Sequence, residues 1–195
     1  MKLELIYKRN FRLPSFNELY FGEVGNSNLQ PEIAHQADLG YHWKIFERYI
    51  GWHWEVKAQG FYNHVRNKIV AITTKNLFVW SMQNVDKAIV YGGLVESRAI
   101  RRFSDSHRLE FMANYTWQRV IDITPDAITY GHQVAYAPEH TINGDVMYYN
   151  KGFSFRVSNN FVSGRYALNQ NVPANYLDPF WTMDIAAGYK HTFKN

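Results

Sequence analysis

The sequence has no cysteine among its 195 residues, which removes disulfide frameworks, Cys-based zinc sites, thiolate nucleophiles and cysteine-ligated iron–sulfur clusters. That absence leaves the compartment open, because a chain without cysteine folds equally well in reducing or oxidising surroundings. No apolar run approaches the ~18 residues of a membrane-crossing helix, and the mean hydropathy is −0.40. Helical membrane spans are therefore excluded. Charge of one sign is also scarce. The 21 Lys and Arg against 17 Asp and Glu leave a net charge of +4, too small and too evenly spread to indicate nucleic-acid binding. The first ten residues, Met1 to Asn10, alternate apolar with charged side chains and lack the unbroken apolar segment of a signal peptide. Aromatic residues are abundant: 14 Tyr, 13 Phe and 6 Trp, with 19% charged residues. This is the composition of an ordered chain, and the length suits one domain of ordinary size or slightly larger.

The apolar residues recur with period two nearly everywhere, and no 3.6-residue pattern is sustained. In 107–119, Leu109, Phe111, Ala113, Tyr115 and Trp117 fall on one face of a strand and Arg108, Glu110, Asn114, Thr116 and Gln118 on the other. Segments 33–46, 51–63, 139–149, 153–161 and 180–191 repeat the pattern, and 2–9 and 78–101 show it less cleanly. About eight strands follow, many longer than the usual ~5–6 residues. Their connections alternate: short polar turns near 47–51, 102–106 and 150–152, and longer irregular stretches at 10–32, 123–138 and 169–179. Tight turns at one end and long loops at the other is the habit of outer-membrane barrels. Trp43, Phe46, Trp52 and Trp54 flank one short turn and Phe153 and Phe155 another, while Tyr115 and Trp117 lie towards a long loop, as two interfacial girdles require. A soluble β-sandwich also alternates, because one face of each strand packs on a core; periodicity alone leaves both architectures open.

One segment is more specific. Arg9-Asn10-Phe11-Arg12-Leu13-Pro14-Ser15-Phe16-Asn17-Glu18-Leu19-Tyr20 leads through Gly25-Asn26-Ser27-Asn28-Leu29-Gln30-Pro31-Glu32 to Asp38-Leu39-Gly40-Tyr41. This resembles the barrel of TonB-dependent outer-membrane receptors, with their Arg-x-Pro-x-x-x-Glu-Leu-aromatic run, Gly-Asn-x-x-Leu-x-Pro-Glu segment and acidic-x-Gly strand. Pro14 and Pro31 cannot donate to a sheet ladder and bound an extended loop, within which Gly25-Asn26 supplies a turn. The resemblance continues through Phe61–Ile69, then Asn84, Ala88, Gly92, Gly93 and Glu96, then Asn114-Tyr115-Thr116, Tyr136-Ala137-Pro138-Glu139-His140-Thr141 and Gly164-Arg165-Tyr166. Spacing around Gly92-Gly93-Leu94-Val95-Glu96 departs from the family pattern and leads us to expect a local bulge or register change.

The resemblance implies an all-β, antiparallel, up-and-down transmembrane barrel fragment over 1–195, an arc of a barrel of about 22 strands. It implies that a plug domain precedes this stretch and two final strands follow it. The family imports large scarce solutes of the siderophore-iron, cobalamin or glycan classes. Its implied partners are outer-membrane lipid, a solute at the extracellular loops, and a TonB-type energy-coupling protein reached only through the plug. The family-motif residues at issue are Arg12, Pro14, Glu18, Leu19, Tyr20, Gly25, Asn26, Leu29, Pro31, Glu32, Gly40, Pro138 and His140.

Other chemistry finds little support. Eight His (35, 42, 53, 64, 107, 132, 140, 191) show no ligand spacing, and Gly-x-Ser-x-Gly, P-loop and Gly-x-Gly-x-x-Gly signatures are absent. Glu110 and Asp122, twelve residues apart, would be about 40 Å apart at ~3.3 Å per residue along one strand. No catalytic residue, metal site or cofactor is expected. Arg98, Arg101, Arg102 and Arg108 cluster in sequence near a short turn; solvated turn charges or anionic headgroup binding would both account for them. Phe16, Tyr20, Phe21, Tyr130, His132, Tyr166 and Tyr176 supply the loops with aromatic surface. Two further architectures set tests. A small closed barrel would hydrogen-bond 2–9 to 180–191, and a sandwich would pack the apolar faces of 107–119 and 180–191 on a second sheet.

Overall fold

The alternating segments form strands because successive side chains meet two different environments. The computed structural model describes residues 1–47, 51–73 and 80–190, with side chains at 45–47, 72–73 and 85–86 left aside; most of the expected turn at 47–51, the Phe46 side chain and His191 lie outside the described residues. The strands are β1 (Lys2–Arg12), β2 (Glu32–Glu47), β3 (Trp52–Thr73), β4 (Trp80–Ser104), β5 (His107–Asp122), β6 (His140–Asn150), β7 (Phe153–Val162), β8 (Arg165–Tyr166), β9 (Tyr176–Leu177) and β10 (Phe180–Tyr189). One short helix, α1 (Phe16–Tyr20), and a 3-10 turn at Pro173–Asn175 interrupt the loops. Eight strands make one sheet in the order β1-β2-β3-β4-β5-β6-β7-β10, every neighbour antiparallel, while β8 and β9 form a separate small ribbon. Among the described residues β1 pairs only with β2 and β10 only with β7. The sheet is an open arc, so the small closed barrel is ruled out.

The sheet is inside out by the standard of a water-soluble protein. On β5 the apolar face is the exposed one, with Phe111, Tyr115 and Trp117 open, while Glu110 on the polar face is only 6% exposed. Leu5 is 80% exposed and Trp181 66%. Among the described residues no second sheet packs on these faces, which excludes the sandwich. The polar face is instead laced with charge pairs. Glu55 takes His42 Nε2 at 2.5 Å and Lys44 Nζ at 3.4 Å; Lys57 meets Glu96; Glu110 lies between Arg98 (3.4 Å) and Arg108 (3.0 Å); and Asp145 accepts from Arg156 and Ser158. Polar lumen and apolar exterior is the arrangement of a membrane barrel wall.

Register fixes where the membrane sits. Outward rows run Tyr41–Ala58–Val95–Tyr115–Ile142–Phe161–Trp181 and Trp54–Ala99–Phe111–Val146–Val157–Ile185. Along β3 the outward residues from Trp52 to Tyr62 span ten positions. At ~3.3 Å per residue and ~40° tilt this gives about 25 Å of height, the apolar band of an outer-membrane barrel. Trp43 and Trp54, with rings 5.9 Å apart, mark the short-turn girdle. Tyr91 and Trp117, 6.0 Å apart, mark the long-loop girdle.

Three expectations change. The register runs unbroken through 92–96 on both sides of β4, and the irregularity lies between Arg102 and Ser104. What Gly92 supplies is room: a Cβ there would meet Trp117 O at 2.1 Å. β3 extends to Thr73, beyond the 51–63 alternation, because above the apolar band the environment no longer enforces period two, and Asn67 (φ 55) interrupts the pleat. The arginine cluster loses one member: Arg98 and Arg108 both meet Glu110 and Arg102 stands opposite Arg108 in the register, while Arg101 turns outward and lies 5.3 Å over Trp52 and 5.5 Å from Phe103. The Lys151-Gly152 turn (φ 46 and 90) is as short as expected, with both residues left-handed as a two-residue hairpin requires.

Candidate functional site

All long connections gather at one end of the arc. The first, between β1 and β2, is fastened by a carboxylate clasp. Arg12, the last residue of β1, donates from Nη1 to both Glu18 oxygens at 3.0 Å and from Nε to Glu32 Oε2 at 2.8 Å. Ser15 caps α1, its hydroxyl accepting from Glu18 N–H (3.3 Å) while Glu18 Oε2 accepts from Ser15 N–H (2.7 Å), a capping box that orients Glu18 towards Arg12. Glu32 Oε1 accepts from Ile69 N–H at 2.6 Å and so ties the clasp to β3. Burial pushes the Glu32 carboxyl up, but the hydrogen bonds from Arg12 and Ile69 and the charges of Arg12 and Lys68 outweigh it and hold the group below its ordinary value. Glu18 is lowered in the same way, its burial outweighed by Ser15 and Arg12, and the hydrogen bond to Glu32 leads the causes that raise Arg12.

Behind the clasp, Gly25 lies so close to α1 that a Cβ would sit 2.6 Å from Phe21 N and 2.8 Å from Tyr20 N. Asn26 then docks on β4: its N–H reaches Glu18 O (2.8 Å) and its Nδ2 reaches Met82 O (2.9 Å), while Met82 N–H donates to Val24 O. Asn84 spans Gln30 and β3, accepting from Gln30 N–H and donating to Gln30 O and Asn67 O. Asn67 Nδ2 donates to Pro31 O at 3.3 Å. Leu29 is buried beneath this lattice, Pro14 and Leu19 are half-buried, and Phe16, Tyr20 and Phe21 remain outside, the rings of Phe16 and Tyr20 5.2 Å apart.

The loop between β5 and β6 folds back over the strand ends. Buried Asp122 accepts from Thr124 N–H (2.8 Å) and Thr129 Oγ1 (2.6 Å), and Val134 completes a small apolar cluster with Ala88 and Val120. The third loop, after β7, is pinned to it by asparagines. Asn169 Oδ1 accepts from Ala135 N–H at 2.8 Å, and Asn171 accepts from Gln133 N–H (2.5 Å) and donates to Gln133 O (3.0 Å). His132 Nδ1 contacts Asn169 O, Tyr166 stacks edge-on with Tyr176 (5.5 Å), and Tyr130 is exposed.

Arg12, Glu18, Gly25, Asn26, Leu29, Pro31 and Glu32 are thus brought together in one rim assembly. Gly40 lies apart, in mid-strand opposite Glu4 and Gln59. Pro138 accepts from Gln118 Nε2, and His140 Nδ1 lies 2.9 Å from the Tyr115 hydroxyl, both on the β5–β6 side. Sequence reading placed Asn67 and Asn84 in family-like runs without their partners, and missed Asn169, Asn171 and the contact of Trp80 with Tyr136 (5.8 Å). The one local signal was the Asn-x-Asn spacing at 169–171.

Comparison with known proteins matches this geometry. The family profile of the TonB dependent receptor-like β-barrel covers residues 7–195. The vitamin B12 transporter BtuB of Vibrio vulnificus is 23% identical over 182 residues, 93% of this chain and 26% of the transporter. Among solved structures, the copper transporter OprC superposes with a TM-score of 0.70 at 14% identity, over 97% of this chain and 29% of that one. The ferric enterobactin receptor PfeA of Pseudomonas aeruginosa, a G324V mutant, gives 0.63 at 18% identity, over 97% and 30%. The chain spans between a quarter and a third of these relatives. An inside-out antiparallel arc with its long loops clasped at one end, matched by the profile over nearly its whole length, is a stretch of barrel wall, and the chain belongs to the TonB-dependent receptor β-barrel family.

Proposed function

We propose that this chain forms wall and outer loops of an outer-membrane receptor that takes up a large, scarce solute of the siderophore-iron, cobalamin or glycan class. The observation that carries the reading is the pairing of an apolar exterior of about one bilayer height with loops built as a fixed rim on a single end of the arc. The rim residues Arg12, Glu18, Gly25, Asn26, Pro31 and Glu32 act as a frame, and the solute meets the exposed aromatics Phe16, Tyr20, Phe21, Tyr130 and Tyr176 that the frame holds up. In this reading 1–195 is part of a longer barrel, and the energy-coupling partner engages the receptor's plug domain. The test is uptake by cells whose full-length receptor has 163–179 replaced by a Gly-Ser linker. Outer-membrane abundance is expected to stay within twofold of the wild type while energised uptake of the solute falls at least tenfold. Unchanged uptake would overturn the role given to the loops, and absence of the wild type from the outer-membrane fraction would overturn the reading as a whole.

A further inference from the structure

The connection between β7 and β10 is held differently from the other long loops. The loop between β1 and β2 buries Leu29 and the loop between β5 and β6 buries Val134, whereas no residue of 163–179 is buried. The segment is nonetheless cohesive. Within it β8 pairs with β9, Arg165 opposite Leu177 and Tyr166 opposite Tyr176. Ala167 N–H donates to Asn175 O at 2.8 Å and Asn175 Nδ2 to Gln170 O at 3.0 Å, and Gly164 leaves room for the Tyr176 hydroxyl, which a Cβ would meet at 1.8 Å. A segment bonded within itself and lacking buried apolar contacts opens as one unit at low free energy.

This ribbon is fastened to the stretch 132–136 of the neighbouring loop. Asn169 and Asn171 bond Ala135 and Gln133 there, and Tyr166 O accepts from Tyr136 N–H at 2.8 Å. Tyr136 has φ 57. Glycine, asparagine and aspartate visit that left-handed region readily, but a bulky aromatic residue does so only where its surroundings impose it. The imposing contacts come from two sides. The Tyr136 ring lies 5.8 Å from that of Trp80, the first residue of β4, and the next residue, Ala137, packs on the cluster of Ala88, Val120 and Val134. Trp80 in turn stands two residues before Met82, whose N–H and carbonyl are both engaged by the first loop at Val24 and Asn26. The strained residue is therefore where the ribbon, the upper end of β4 and the apolar cluster meet.

We propose that Tyr136 is a strained latch that couples the upper end of the β3–β4 hairpin to the β8–β9 ribbon. While Trp80 supports its ring, the backbone is held at positive φ and its N–H reaches Tyr166. When Trp80 is displaced the backbone relaxes, that N–H turns away, and the ribbon, with its backbone tie lost, opens as one body. The first loop is not disturbed, because Met82 holds Val24 and Asn26 through backbone groups and not through Trp80. A contact made on the hairpin is thus felt at the ribbon, and by reciprocity a contact that lifts the ribbon loosens Trp80. The coupling follows from the rim geometry and does not rest on the uptake reading above.

The test is hydrogen exchange of the full-length receptor in detergent, read by mass spectrometry over 164–178. An aromatic contact of this kind is worth about three- to tenfold. Trp80→Ala is therefore expected to speed exchange across 164–178 by that factor, with 13–31 unchanged, and Trp80→Phe, which keeps a ring beside Tyr136, to stay within about twofold of the wild type. Two variants at 136 separate strain from simple loss of packing. Tyr136→Ala keeps the strain without the supporting ring and is expected to speed exchange as Trp80→Ala does. Tyr136→Gly takes positive φ freely and is expected to hold the ribbon as the wild type does, and in that background Trp80→Ala is expected to change nothing further. The proposal is overturned if Trp80→Ala leaves 164–178 unchanged, or if it acts equally in the wild type and in the Tyr136→Gly background. If Trp80→Ala does not fold, the pair at 136 decides: equal acceleration by Tyr136→Ala and Tyr136→Gly, or none by either, overturns the latch.

Discussion

Arg12 shows how a single side chain joins three chain segments: the end of β1, the start of β2 through Glu32, and α1 through Glu18. Replacing it with Gln leaves two partly buried carboxylates without their cation, at a cost of about 1–2 kcal/mol. Limited proteolysis of the full-length receptor should then cut within 13–31 several-fold faster. The same clasp sets a pH dependence. Both glutamates have folded-state values below the ordinary 4.5, so their stabilisation is fully present above that value and is lost as pH falls through the depressed values. Loop protection measured by hydrogen exchange should be level from neutral pH to about 5 and should decline only in stronger acid. Gly25→Ala and Gly92→Ala should each destabilise by about 1–3 kcal/mol, because the added methyl meets backbone that cannot retreat; thermal unfolding in detergent reads the loss. At this scale legibility followed sequence distance. Arg12, Glu18 and Glu32 lie within one recognisable run, whereas Asn84 acts on Gln30 from 54 residues away, and no local pattern announces such a pairing.

Strands show the same division at larger size. Where a strand faces lipid on one side and lumen on the other, period two is enforced, and 107–119 and 180–189 could be read directly as strands. Above the bilayer both faces are wet or loop-covered, so the upper part of β3 carried no periodic signal. The loops differ again, because asparagine side chains stand in for ladder hydrogen bonds and their partners are set by tertiary approach. The double variant N169A/N171A removes the bonds to Ala135, Gln133 and their neighbours. It should free the 163–179 loop at a cost of about 2 kcal/mol, seen as faster hydrogen exchange at 133–137 with the strand amides of β5 and β6 unchanged.

Among the described residues the arc has two unpaired edges and an exterior that water does not suit. Expressed alone, residues 1–195 should aggregate in aqueous buffer and disperse only in detergent or bilayers, as size-exclusion chromatography would show; a monodisperse monomer in water would contradict the exterior described above. Composition alone pointed to an ordinary domain, because the lumen half of every strand dilutes the hydropathy of the lipid half. β3 and β4 have 22 and 25 residues, whereas β7 and β10 have 10 each. A difference of about 12 residues is about 30 Å of height at ~40° tilt. The wall therefore rises to a peak at β3 and β4 and falls away towards both edges, to 11 residues at β1 and 10 at β10. Anything that descends on the rim from directly above meets the β3–β4 peak first, while an approach from either edge of the arc meets a lower wall.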